Sequence, residues 1–255
     1  MCTKMLVSVM FLLAVSMTAT AAWTPIEDFE SGSFGSDWTV SGATISTDLV
    51  TGTSNRVLMM TQGTLQTAIN SHSALTIADN ATKTIYLRIA TGTGSDYSRL
   101  NWGMTNVESP AAEADIKTQS RFNWGTSIYA WDGTTVKTAF DLAADGADRG
   151  HWLEMWMVID NTADQFNLYL QGGTLYTTQT QISYSGDSDF AFRNAVADSL
   201  TRLFLINNTS STQPQGYMLV DDIYVSDGVN LTSAVPEPAT LLLLGMGSLA
   251  LLRRK

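Results

Sequence analysis

The sequence predicts an all-β protein built as a sandwich of antiparallel sheets, and three observations support this. Strand and turn signals alternate at short intervals, and no segment shows a convincing helical period. The composition favours strands and turns, because 33 of the 255 residues are threonine, 19 are glycine and only 15% are charged. The 44% hydrophobic fraction is enough for a large core. A net charge of −10 excludes a nucleic-acid binder that works by neutralising phosphates.

Residues 1–22 are predicted to be a secretory signal peptide. A small positive region precedes the apolar run Met5–Val15, and Ala19 and Ala21 give an A-x-A cleavage pattern. A membrane anchor is the alternative, but this run of 11 residues is well short of the ~20 residues that span a bilayer. Signal peptidase is therefore expected to cleave near Ala21 or Ala22. The only cysteine of the chain leaves with the signal peptide, so a disulfide and a thiolate metal site are excluded from the mature protein.

The segment Thr84–Ala90 shows the period of two that is expected of a half-buried strand, with Ile85, Leu87 and Ile89 on one face. Seven further stretches have a similar pattern and are predicted strands: Arg56–Met60, Ser98–Met104, Phe122–Trp131, Trp152–Ile159, Gln165–Leu170, Leu200–Ile206 and Tyr217–Val225. Glycine-containing turn clusters separate them.

The clearest local unit is a predicted hairpin, formed by Trp152–Asp160 and Gln165–Leu170 around a polar turn. One face of its first strand is apolar and carries Leu153, Met155, Met157 and Ile159. The other face carries Trp152, Glu154, Trp156 and Val158, with Asn167 and Tyr169 on the matching face of the second strand.

This hairpin resembles the central hairpin of concanavalin A-like, laminin-G-like jelly rolls. Ile26–Gly32 is similar to the opening of those families, and Val220–Val225 is similar to their closing strand. The resemblance covers most of residues 26–227 in order. It implies an antiparallel jelly-roll β-sandwich over residues 23–230, in which the first and last strands lie side by side.

The C-terminal residues 231–255 have a tripartite pattern. The motif at 235–238 precedes an uncharged run at 239–252 and a basic end at 253–255. Fourteen helical residues span about 21 Å, short of a hydrocarbon core of ~30 Å, which favours transient anchoring in the inner membrane. The basic end is predicted to stay in the cytoplasm. A simple tail anchor is the alternative and predicts the same orientation.

This C-terminal pattern resembles the PEP-CTERM sorting signal of Gram-negative and related environmental bacteria. The residues that carry the resemblance are Pro236, Glu237 and Pro238, the leucine-rich run, and the terminal Arg253, Arg254 and Lys255. It implies recognition by exosortase, a membrane cysteine transpeptidase. Removal of the hydrophobic tail and delivery to the cell surface or the extracellular polysaccharide matrix would follow.

Four side chains of the hairpin are candidate glycan contacts: Glu154, Trp156, Asn167 and Tyr169. A flat aromatic ring beside a carboxylate and an amide is typical of a sugar platform, since the ring stacks on C–H groups while the polar groups bind hydroxyls. The alternative is that this outer face is buried under a loop.

Four carboxylates form a candidate structural calcium site: Asp28, Glu30, Asp221 and Asp222. They would lie close together if the first and last strands pair, and Ca²⁺ prefers oxygen ligands. The alternative is that these carboxylates are simply solvated.

No catalytic residue is assigned. Laminarinase-like jelly rolls need an E-x-D-x-E strand, and the nearest match, Glu113–Lys117, ends in lysine. His72 and His151 have no neighbouring ligands that would suggest zinc. We therefore expect a structural or adhesive component of exopolysaccharide or biofilm that contacts glycan without cleaving it. A secreted glycan-active enzyme on the same scaffold is the alternative.

Overall fold

The computed structural model describes residues 21–61, 63–92, 99–123, 127–141, 149–194, 197–207 and 216–234. Residues 1–20 of the predicted signal peptide and residues 235–255 of the predicted sorting signal lie outside them. Within the described ranges, no helix is long and apolar enough to cross a membrane.

Sixteen strands and two short 3-10 helices make up the described secondary structure. The strands are β1 (Thr24–Glu27), β2 (Trp38–Ser41), β3 (Thr44–Thr47), β4 (Arg56–Thr61), β5 (Gln66–Asn70), β6 (Thr82–Thr91), β7 (Arg99–Thr105), β8 (Ser120–Asn123), β9 (Ser127–Asp132), β10 (Thr135–Asp141), β11 (Trp152–Asp160), β12 (Gln165–Gly172), β13 (Tyr176–Gln181), β14 (Phe190–Ala191), β15 (Arg202–Asn207) and β16 (Tyr217–Asp227). The 3-10 helices are Ser73–Leu75 and Glu113–Asp115.

The strands form two antiparallel sheets. The larger sheet has the order β13-β12-β11-β6-β16-β4-β3, with β1 beside β16 and β14 beside β12. The smaller sheet has the order β10-β9-β8-β7-β15-β5-β2. The predicted all-β fold of antiparallel sheets is thus confirmed.

The main core lies between the inner faces of the two sheets. In β6, Ile85, Leu87 and Ile89 enter it, as the alternation predicts. The apolar face of β11 enters the same core through Leu153, Met155, Met157 and Ile159. Since successive side chains of a strand point to opposite faces, the remaining residues of β6 and β11 form the outer face of the larger sheet.

The first and last strands lie side by side, which confirms that expectation. Thr24 of β1 pairs with Val225 of β16, and Pro25 pairs with Tyr224. Strand β16 also pairs with β4 and β6. The last strand of the described residues therefore lies in the interior of the larger sheet.

The prediction of a single strand at Phe122–Trp131 is wrong. The chain forms two strands there, β8 and β9, which pair with each other through Arg121 and Tyr129. Phe122 and Ile128 both enter the core, so the alternation continues across the reversal and hides it. The short strands β2, β3, β5, β10, β13 and β14 were also not predicted individually.

Residues 117–118 pack directly against β7 and bring the preceding 3-10 helix onto the outer face of the smaller sheet. Lys117 N donates to Met104 O at 2.8 Å, and Met104 N donates to Thr118 Oγ1 at 2.9 Å. The approach requires glycine at position 103, whose φ is +151°. A Cβ on Gly103 would lie 2.1 Å from Thr118 O.

Candidate functional site

Trp156 of the predicted sugar platform is buried on the outer face of the larger sheet. Its cross-strand partners are Tyr86 on β6 and Tyr169 on β12. The rings of Trp156 and Tyr86 are edge to face, with centroids 5.3 Å apart, and neither side chain has exposed surface. Trp156 is therefore closed to a sugar ring in this conformation.

The cover over Trp156 is the segment that follows β16. We call residues 228–234 the C-terminal strap. Trp156 Nε1 donates to Thr232 O at 3.0 Å, and Trp23 Nε1 donates to Thr232 Oγ1 at 3.2 Å. The outer face of the sheet is thus occupied at this point by the chain itself.

Glu154 lies partly buried beside the strap. Burial raises the pKa of Glu154, while the positive charge of Arg88 and a hydrogen bond from Ser233 act in the opposite direction. Burial also raises the pKa of Tyr86, and the negative charge of Glu154 adds to this rise. A carboxylate and a phenol therefore lie close together beneath Ser233 of the strap.

Asn167 and Tyr169 are half-buried on β12. Asn167 Nδ2 donates to Ser188 O at 2.8 Å and to Asp189 Oδ1 at 2.5 Å. Burial raises the pKa of Tyr169, with a further contribution from the charge of Asp189. The structure thus places Tyr169 beside Trp156, and Tyr169 and Asn167 retain partial access to solvent.

Asp221 and Asp222 lie at an irregularity in β16, where the register with β6 shifts and Asp222 has a φ of +51°. Asp222 Oδ2 forms an ion pair with Arg88 Nη1 at 2.8 Å. Asp221 Oδ2 accepts a hydrogen bond from Asn55 Nδ2 at 2.9 Å. Burial and the charge of Asp222 raise the pKa of Asp221 to about 7.

The other two calcium candidates, Asp28 and Glu30, are exposed. Asp28 Oδ1 accepts from Glu30 N at 3.1 Å, and Glu30 Oε1 accepts from Arg56 N at 3.0 Å. In the described part of the chain, no group of three or more histidine, cysteine or acidic side chains is arranged to hold a metal ion. The calcium site stays a prediction.

A cluster that sequence reasoning missed lies on the outer face of the smaller sheet. We call Arg99, Arg121 and Arg193 the arginine cluster. The Cζ atoms of Arg121 and Arg193 lie 4.4 Å and 5.4 Å from the ring centroid of Trp131. Arg99 Nη2 and Arg121 Nη2 donate to Glu113 Oε2 at 2.9 Å and 3.2 Å.

Two buried amides support the arginine cluster from the sheet. Asn101 Oδ1 accepts from Arg121 Nε at 2.8 Å and from Gln119 Nε2 at 3.0 Å. Arg193 Nη1 in turn donates to Gln119 Oε1 and, at 3.2 Å, to Glu113 O. Since Asn101 and Gln119 have no exposed surface, they fix the guanidinium groups of Arg121 and Arg193 in place.

The segment nearest to the E-x-D-x-E pattern is not a strand. Glu113–Asp115 is a 3-10 helix. Asp115 Oδ2 accepts from Ala111 N at 2.8 Å and from Ala112 N at 2.9 Å. Both carboxylates of the segment are thus engaged in contacts within the protein.

Comparison with protein-family models identifies a PEP-CTERM protein-sorting motif at residues 234–255. The predicted sorting signal is therefore confirmed, and the match includes Pro236, Glu237 and Pro238. This motif implies an exported protein that is sorted by exosortase, with a cell-surface or extracellular location in Gram-negative bacteria.

Comparison with solved structures shows a lectin-like jelly-roll fold. Arcelin-5, a lectin-like defense protein from Phaseolus vulgaris, is 10% identical with a TM-score of 0.55, and the match covers 83% of this chain and 100% of arcelin-5. Lectin II from Ulex europaeus is 10% identical with a TM-score of 0.52 and the same coverage. A protein of unknown function from Shewanella oneidensis MR-1 is 14% identical with a TM-score of 0.52, covering 90% of this chain and 97% of that protein. No curated protein is significantly similar in sequence.

Proposed function

We propose that this exported protein is a non-catalytic component of the cell surface or extracellular matrix that contacts polysaccharide through the arginine cluster. The observation that carries the proposal is the fixed arrangement of the arginine cluster, in which the guanidinium groups of Arg121 and Arg193 lie over Trp131 and Arg99 shares Glu113 with Arg121. Because Trp131 is only 3% exposed, it orients the guanidinium planes rather than stacking on a sugar. The half-buried ring of Tyr129, 6.0 Å from Arg121 Cζ, is the aromatic surface that remains for a sugar.

The arginine cluster favours a polysaccharide that carries carboxylate groups. Guanidinium groups bind carboxylates through paired, charge-assisted hydrogen bonds. Residues 23–234 contain 10 basic and 23 acidic side chains, a formal net charge of −13. Three of those 10 basic residues meet at this one place, where the Glu113 carboxylate accepts hydrogen bonds from Arg99 and Arg121. At ~0.15 M ionic strength charges are screened beyond about 8 Å, so the local positive charge decides the contact.

The carboxylates of this face favour binding over cleavage. Glycoside hydrolysis needs an acid and a second carboxylate, about 5 to 9 Å apart and directed at the substrate. Glu113 instead accepts hydrogen bonds from two arginines, and Asp115 accepts them from two backbone N–H groups. Neither group is free to act as acid or nucleophile.

The proposal is tested by binding of the exported protein to polygalacturonate, with dextran as the neutral polymer. The double variant Arg121→Gln, Arg193→Gln should bind polygalacturonate at least tenfold more weakly, about 1.4 kcal/mol. The control Arg56→Gln makes one such charge change at an exposed site on the other sheet and should bind within twofold of the wild type.

Two outcomes would contradict the proposal. The first is that the double variant binds polygalacturonate as tightly as the wild type does. Binding that both proteins show only when Ca²⁺ is added counts as the same outcome. The second is release of reducing ends by rigorously purified protein, which would support the enzyme alternative.

A further inference from the structure

The C-terminal strap is attached to the sandwich by a specific network centred on Asn230, which is 4% exposed. Asn230 N donates to Thr84 Oγ1 at 3.0 Å, and Asn230 Nδ2 donates to Ser226 Oγ at 3.1 Å. Asn230 Oδ1 accepts from Thr232 Oγ1 at 2.8 Å. Asn230 thus joins the strap to β6 and β16.

Two further residues extend the attachment along the strap. Gln179 Nε2 donates to Leu231 O at 2.8 Å. Thr232 receives the indole N–H groups of both Trp23 and Trp156. The strap is therefore held at three successive residues, from Asn230 to Thr232, and is a packed part of the domain.

This attachment leaves little free chain before the sorting motif. Pro236 is two residues beyond Ala234, the last described residue, and the uncharged run begins five residues beyond it. At no more than ~3.6 Å per residue, the chain extends at most about 7 Å from Ala234 to Pro236 and about 18 Å to the start of the uncharged run. Released from the sheet, the seven residues of the strap would add up to about 25 Å.

We propose that Asn230 and Thr232 are positioning residues for sorting, and that the strap must leave the sheet before exosortase can process the motif. While the strap is attached, at most about 7 Å of chain lies between the sandwich and Pro236, which leaves a membrane enzyme little room to reach the motif. When the strap leaves the sheet, the free chain between the sandwich and the motif lengthens by up to about 25 Å. This inference rests on the sorting motif and is independent of the proposed glycan contact.

The test follows tail removal from the full-length chain by pulse-chase in a host that contains exosortase. Asn230→Ala removes the side-chain hydrogen bonds of Asn230, which weakens the attachment of the strap, and should speed tail removal at least threefold. The matched control is Asn161→Ala, because Asn161 is also a buried amide, and its Nδ2 donates to three carbonyl groups away from the strap. This control should process at the wild-type rate.

An insertion variant distinguishes the effect of a longer chain before the motif from the effect of a less stable domain. Six Gly/Ser residues placed after Ala234 lengthen the chain without touching the strap contacts, so they should also speed tail removal. Combined with Asn230→Ala, the insertion should give no further increase, because both changes relieve the same restriction. An unchanged rate in the insertion variant, a slower rate in Asn230→Ala, or equal acceleration in Asn161→Ala would each overturn the proposal.

Discussion

The buried carboxyl group of Asp221 should make the stability of the sandwich depend on pH in an unusual direction. Its side chain is 2% exposed, and burial together with the adjacent charge of Asp222 raises its pKa from 3.8 to about 7. The folded protein therefore binds this proton more tightly than the unfolded chain does. Between about pH 4 and pH 7 the folded state carries the extra proton, so the free energy of unfolding falls as the pH rises.

The size of the effect follows from the two pKa values. Each tenfold change in proton affinity corresponds to 1.36 kcal/mol, so the full cost of ionising Asp221 is at most about 4 kcal/mol. This cost is absent below about pH 4, where both states are protonated, and complete above about pH 7. From pH 5 to pH 8, the ionisation of Asp221 should lower the free energy of unfolding by about 2 to 3 kcal/mol.

The assay is urea unfolding of the wild type and the Asp221→Asn variant at pH 5 and pH 8. Asparagine does not titrate, so stability should fall less between the two pH values in the variant, by about 2 to 3 kcal/mol. The readout is the difference in the free energy of unfolding between pH 5 and pH 8 within each protein. A hydrogen bond that the asparagine amide cannot make lowers the stability equally at both pH values and therefore cancels. Asp37→Asn, at an exposed site, is the control and should keep the wild-type difference. An Asp221→Asn variant with the wild-type difference would refute the reasoning.

Two other predictions concern stability. Gly103→Ala should destabilise the protein by about 3 kcal/mol or more in urea unfolding, because it places a methyl group against Thr118 O at a strained φ. The control is Gly35→Ala, whose added Cβ has its nearest neighbouring atom at 3.9 Å and should change stability by less than about 0.5 kcal/mol. Similar losses in both variants would contradict this account. Calcium at Asp222 would require Arg88 to release its carboxylate, and a bound ion should raise the melting temperature by mass action. Identical melting curves with and without EDTA would count against the metal.

Local patterns predicted the strands that cross the core, but not every chain reversal. In β6 and β11 the alternation is regular because one face meets the core and the other faces outward. At Phe122–Trp131 the same alternation runs through two strands, since Phe122 and Ile128 are six positions apart, an even spacing, and enter the same core. A period of two reports burial, and it contains no information on chain direction.

The candidate sites were harder to predict because they combine distant segments. Alternation placed Trp156 on the outer face correctly, but its cover comes from Thr232, 76 residues later in the chain. Likewise, Arg99, Arg121 and Arg193 lie on separate segments, with no spacing that relates them. Arg99 lies within the predicted strand Ser98–Met104, and Arg121 directly precedes the predicted strand Phe122–Trp131, but such positions are shared by many solvated arginines.

The interior position of β16 also constrains when the domain can fold. Its residues 218–227 pair with residues 83–91 of β6, and Val225 pairs with Thr24 near the start of the chain. Contacts between residues so far apart form slowly, because a long loop must close before they are made. The larger sheet cannot be completed until Asp227 has been synthesised. The fully paired domain can therefore form only after nearly the whole chain has been synthesised, and secretion across a membrane requires a chain that has not yet folded.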